Sequence, residues 1–119
     1  MINAIVSLYD EELQAFTVSF PEYICHESLN AWKNVFLEVL KTRMTVKPER
    51  LLLNLNKHEF ESIECLKFLR EILTQITSIE NGIYKIAFVQ PSHHRKPGIV
   101  SENEAYFVNI EDAKSWLKG

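Results

Sequence analysis

The side chains of this sequence with the chemistry to engage a ligand fall in a few places. The densest is His93-His94-Arg95-Lys96, held between Pro91 and Pro97-Gly98. A guanidinium and an ammonium side by side suit an anion, because charge-assisted hydrogen bonds to phosphate or carboxylate are among the strongest a side chain makes. The paired imidazoles are metal-ligand types, but neighbouring side chains on an extended segment diverge and no third ligand stands at a recognisable spacing. No metal site is therefore expected, and the cluster reads either as an anion-binding loop of His93, His94, Arg95 and Lys96 or as a solvated loop. His58 lies beside Glu59 and His26 beside Cys25, pairs that do acid-base work only if the fold brings them a third group. Cys25 and Cys65 form no CxxC pair, so neither a redox dithiol nor a zinc knuckle is indicated. Both read as thiols that pack as small hydrophobes. A nucleophilic role needs an exposed thiolate and a base.

Absences narrow the chemistry further. Three glycines in the whole chain leave no glycine-rich phosphate cradle, and there is no GxSxG, HExxH or Walker-type sequence. The sequence reads as non-enzymatic, with no cofactor. A formal net charge of -3 disfavours a domain whose affinity comes from neutralising many phosphates, so nucleic acid is not an expected partner. There is no basic leader followed by an apolar stretch and a cleavage site, and no apolar run near the roughly 18 residues of a membrane span. A cytoplasmic protein is expected.

The elements that must position these residues follow from hydropathy patterning. With 119 residues, 46% of them hydrophobic and 24% charged, the chain suits one domain over residues 1–119 with a single core. Ile2 to Tyr9 and Ala15 to Phe20 are strand-like runs on either side of Asp10-Glu11-Glu12, which predicts an antiparallel hairpin ended by Pro21. Leu29, Trp32, Val35, Phe36, Val39 and Leu40 recur at helical spacing, with Ser28 as the expected N-cap and Val46-Lys47-Pro48 as the exit. Leu51-Leu52-Leu53-Asn54-Leu55 is nearly continuously apolar, as a central strand covered on both faces should be. A second helix carries Phe60, Ile63, Leu66, Leu69, Leu73 and Ile76 as one stripe, broadened by Cys65, Phe68 and Ile72, a width that implies deep burial or a partner surface. Asn81-Gly82 ends it, and Ile83 to Val89 reads as another strand. Ser92 to Glu104 has no period and is expected to be a loop. Ala105 to Val108 suits a short edge strand, and Asn109 caps a last helix bearing Ile110, Ala113, Trp116 and Leu117. The fold class is thus α/β, a mixed sheet with an N-terminal antiparallel hairpin and amphipathic covering helices.

This order resembles the STAS domain, the SpoIIAA-like family. Leu51-Leu52-Leu53-Asn54-Leu55 with Phe60 and Leu66 is similar to the family's central strand and signature helix. Ala105-Tyr106-Phe107, Ile110-Glu111-Asp112-Ala113 and Trp116-Leu117 resemble a SpoIIAA-like C-terminal ending. In the phospho-regulated members an Asp-Ser-Ser-Gly-like motif opens the signature helix, and a partner kinase phosphorylates its second serine. Here the corresponding positions are Ser62, Ile63, Glu64 and Cys65, so that motif is missing. Glu64 at the phosphoacceptor position reads either as a solvated helix residue or as a fixed charge that imitates part of a phosphorylated state, with Ser62 as the alternative acceptor. The resemblance also implies a helix between the last two strands, for which residues 92–104 look too short, leaving a groove or a dimer surface there.

The resemblance implies a non-catalytic regulatory module that binds a protein partner through a rim around Asn56, Lys57, His58, Phe60, Ser62 and Glu64. The alternative is a domain that takes a small anionic or lipid-like ligand, because SpoIIAA-like proteins resemble lipid-transfer domains and the 93–96 loop is basic. The wide apolar second helix also favours a homodimer.

Overall fold

The computed structural model describes residues 5–43, 49–55, 59–60, 62–78, 83–90 and 97–118. The chain opens with strands β1 (Val6–Asp10) and β2 (Ala15–Ser19), then a two-residue strand β3 (Tyr23–Ile24) and helix α1 (His26–Arg43). Strand β4 (Glu49–Asn54), a second two-residue strand β5 (Glu59–Phe60) and helix α2 (Ile63–Ser78) follow. The chain continues through β6 (Ile83–Val89), β7 (Gly98–Ile99) and β8 (Glu104–Phe107) to helix α3 (Ile110–Lys118). Strands β1, β2, β4, β6, β8 and β7 lie side by side in that order as one mixed sheet, and β3 pairs with β5 in a separate two-stranded sheet.

The expected hairpin forms, with β1 antiparallel to β2 and Ser7 opposite Val18. Its turn is closed by the Asp10 carboxylate, whose Oδ1 accepts a 3.1 Å hydrogen bond from the Leu13 amide. Gln14 takes φ 53° there, a left-handed conformation that costs a residue with a Cβ more than it costs glycine. Gln14→Gly is accordingly expected to raise the unfolding free energy by about 0.5–1 kcal/mol, read from the urea midpoint.

Parallel pairing builds the centre: β2 with β4, β4 with β6, and β6 with β8. Leu51, Leu52 and Leu53 are all buried, as a strand covered on both faces requires. Alternation sends Leu51 and Leu53 to a core formed with α1 and α2, which also holds Phe16, Phe36, Leu69 and Phe88. Leu52 points the other way, to a smaller core with Leu13, Ala87, Val89, Ala113 and Leu117 beneath α3. Asn109 caps α3 as expected, its Oδ1 accepting from the Glu111 amide at 2.7 Å. Lys85 ties the far end of α3 to β6, donating to the Trp116 carbonyl at 2.8 Å with its ammonium 4.4 Å from the Trp116 ring centre. Among the described residues no helix is long and apolar enough to cross a membrane.

Several expectations are corrected. Helix α1 starts two residues before the expected Ser28 cap: Cys25 is the capping residue, its carbonyl accepting from the Leu29 amide at 3.2 Å, and Ser28 is buried in the first turn. The expected loop from Ser92 to Glu104 contains β7, which pairs antiparallel to β8 with Ile99 opposite Ala105. That takes the edge position from β8 and leaves Ala105 and Tyr106 buried within the sheet. Val35 and Val39 of α1, and Ile63 and Leu66 of α2, are exposed and not part of the buried stripes. The buried arc of α2 is Cys65, Leu69, Ile72, Leu73 and Ile76, a narrower face than the apolar residues of the sequence span.

Candidate functional site

Each of the two-residue strands stands between the carboxyl end of a sheet strand and the start of a helix: β3 between β2 and α1, β5 between β4 and α2. Their parallel pairing, Tyr23 with Glu59 and Ile24 with Phe60, brings the N-termini of α1 and α2 together at one end of the sheet. A stacked pair spans the two helices there, with the His26 and Phe68 rings 4.3 Å apart at 13°. Lys33 places its ammonium 5.7 Å from the Phe68 ring centre.

The two helix starts are capped differently, α1 by the Cys25 carbonyl and α2 by a side chain the sequence singled out. Ser62 caps α2: its Oγ accepts from the Cys65 amide at 3.3 Å, and its carbonyl accepts from the Leu66 amide at 3.4 Å. Glu64 is exposed in the first turn, where a carboxylate suits the positive end of the helix dipole. Cys65 is buried in the core, as expected of a packed thiol. Cys25 departs from that expectation, being only partly buried, and its Sγ shares a 2.9 Å hydrogen bond with Ser28 Oγ. The four positions corresponding to the phosphoacceptor motif thus hold a capping serine, an exposed isoleucine, an exposed carboxylate and a buried thiol.

The structure brings Phe60, Ser62 and Glu64 of the expected rim to this end of the sheet. Asn56, Lys57 and His58 lie outside the described residues, as do His93, His94, Arg95 and Lys96. The chain enters both of those segments from the same end of adjacent parallel strands, as the bond from the Leu55 amide to the Val89 carbonyl marks. Three exposed apolar side chains stand on the elements that build the rim: Tyr23, which the sequence reading does not single out, and Ile63, 65% exposed, and Leu66, which it places in the wide α2 stripe. The usable signal was the width of the α2 apolar stripe, too broad for one helix to bury against one sheet face.

A second polar cluster lies on the same sheet face farther along α2. Arg70 Nη2 donates to Tyr106 Oη at 2.8 Å, and that hydroxyl donates to Glu104 Oε2 at 3.0 Å. The Tyr106 ring stacks on Phe88, with centres 4.5 Å apart at 11°, and the Arg70 guanidinium sits 5.6 Å from the Phe88 ring centre. Burial pushes the Tyr106 phenol above its ordinary value, the Arg70 guanidinium pulls it back, and the Glu104 carboxylate raises it again. Tyr106 and Phe88 are buried, so the sheet is covered at these two residues, whereas the short connection implies a groove or a dimer surface in that region. Among the described residues no group of three or more His, Cys, Asp or Glu side chains is placed to hold a metal ion.

Neither a family model nor a curated protein matches the sequence. Solved structures do match over nearly the whole chain. An uncharacterized DUF3478-family protein with a SpoIIAA-like fold, from Shewanella loihica PV-4, aligns with a TM-score of 0.67 at 12% identity, covering 98% of this chain and 96% of that one. An anti-sigma-factor antagonist (STAS) domain protein from Planctomyces limnophilus aligns with a TM-score of 0.61 at 15% identity, covering 98% and 99%. With a mixed six-stranded sheet and three helices among the described residues, the chain has the SpoIIAA-like, or STAS-like, fold.

Proposed function

We propose that this protein is a non-catalytic regulatory module that binds a protein partner at the rim where α1 and α2 begin. The observation that carries the reading is the exposure of Tyr23, Ile63 and Leu66 on the described elements of that rim. Apolar side chains held on rigid elements and surrounded by polar groups are the usual anchors of a protein interface. The name of the Planctomyces limnophilus neighbour, an anti-sigma-factor antagonist, supports a role exercised on another protein. With Glu64 at the phosphoacceptor position, partner choice here runs without the serine switch. A cytoplasmic setting is part of the proposal. The alternative, a small anionic or lipid-like ligand, draws on His93, His94, Arg95 and Lys96 outside the described residues, whereas the rim reading rests on side chains in place.

The test compares tagged wild-type protein with Ile63→Glu and Leu66→Glu variants in native lysate, followed by titration of the recovered protein in purified form. Both residues are exposed, so the variants should keep the fold. A protein retained by the wild type and bound at least about a hundredfold more weakly by either variant is expected, the loss typical of an interface anchor. Recovery of no specific protein by the wild type, or equal affinity for all three forms, would overturn the reading.

A further inference from the structure

We infer that the β1 edge of the sheet is the interface for a second copy of this chain, joined strand to strand as a two-fold dimer. This goes beyond the proposed function and uses a surface away from the rim.

Strand β1 ends the sheet, and nothing among the described residues lies beyond it in the strand order. Among the described residues its segment Val6-Ser7-Leu8-Tyr9-Asp10 carries no lysine or proline and its register with β2 runs without a bulge, so three of the devices that commonly guard an edge are absent from it. Exposed apolar side chains flank it on both faces. Val6 and Leu8, 49% and 65% exposed, point to the α3 side of the sheet, opposite Ser19 and Thr17 of β2. On the other side lie Val35 and Val39 of α1, 65% and 38% exposed. Helix α1 sits over this end of the sheet, since Trp32 Nε1 donates to Ser7 Oγ at 2.7 Å. His26 and Lys33 mark its flank toward α2, by their approach to Phe68. At about 3.6 residues per turn, Val35 and Val39 fall on the opposite flank, turned toward β1.

A second copy fits this edge in register, charge and area. An antiparallel seam with its two-fold axis at Ser7 places Val6 of each copy opposite Leu8 of the other, gathering four apolar side chains on one face. The same axis sets the Val35 and Val39 flanks of the two copies of α1 across the seam from one another. The only acidic residues of the hairpin, Asp10, Glu11 and Glu12, stand at one end of β1. An antiparallel seam carries the two acidic turns to opposite ends, whereas a parallel one would superpose them. The four exposed side chains offer on the order of 350 Å² per copy, nearly half of the roughly 800 Å² each partner gives to a stable interface, before the strand backbone is added.

Sedimentation equilibrium of the full chain at about 100 µM is expected to give a mass near twice the 13.9 kDa of one chain. Leu8→Lys, on the strand, and Val35→Lys, on the helix, are each expected to weaken the dimer at least about a hundredfold by placing an unpaired charge in the seam. Circular dichroism identifies any variant that has lost the fold, and should Leu8→Lys do so, Val35→Lys carries the test. A wild-type mass of one chain at that concentration would overturn the inference, since the edge would then await a strand from a different protein or none. A dimer that survives in every folded variant would overturn it as well.

Discussion

Replacing Leu53 by alanine should lower the unfolding free energy by about 3–5 kcal/mol, a large share of what holds a domain of this size together. Leu53 is fully buried in the central strand and faces the larger core, where Phe88 lies opposite it on β6 and Val18 on β2. Neither neighbouring strand can close on the void without breaking ladder bonds on its other side, so little of the cavity is recovered. Urea unfolding followed by circular dichroism should show a lower midpoint at unchanged slope. Leu66→Ala, on an exposed residue of α2, is the control and should stay within about 0.5 kcal/mol of wild type. A loss below about 1 kcal/mol at Leu53 would mean that β4 is not the packed centre of the sheet.

Tyr106 should give the second large effect, one that separates ring from hydroxyl. Tyr106→Ala removes a buried ring stacked on Phe88 and should cost about 3–5 kcal/mol. Tyr106→Phe keeps the stack and removes only the bridge between Arg70 and Glu104, a loss of about 1 kcal/mol. The two forms should also differ in alkali. Burial raises the phenol above its ordinary value in the folded state, so the folded chain holds this proton where the unfolded chain has released it. The contribution is complete below the unfolded value of about 10 and is lost as pH rises through the higher folded value. Urea midpoints measured from about pH 8 to about pH 11 should therefore fall more steeply for wild type than for Tyr106→Phe, a subtraction that cancels the other tyrosines and the lysines. Parallel curves for the two proteins would contradict the assignment.

The central elements were legible because their signals are local and strong. Leu51 to Leu55 and Ile83 to Val89 are continuous apolar runs, and Asn109 is a helix cap readable in sequence. The rim was only half legible. Ser62 and Glu64 could be located from the resemblance, but Tyr23 is set beside Glu59, on the way into α2, through a pairing of two-residue strands too short to leave any period in the sequence. A helical period also says which residues share an arc without saying where the sheet beneath them stops. That is why Val35, Ile63 and Leu66 share apolar stripes with buried residues and are themselves exposed. Cys25 escaped notice as a cap because cysteine is not a residue type that capping rules favour.

The two tryptophans stand on opposite sides of the sheet. Trp32 is buried in the layer of α1 and α2, with its indole N–H bonded to Ser7 and its ring stacked on Phe36, while Trp116 lies under α3 between Phe107 and the Lys85 ammonium. Each layer thus contains its own fluorophore, separately addressable by single Trp→Phe replacement. Trp32, which also meets Phe20 at the carboxyl end of β2, should change its emission when a protein settles on the rim, and Trp116 should stay unchanged. The fold thereby contains both the optical sensor of its partner and the internal reference for it.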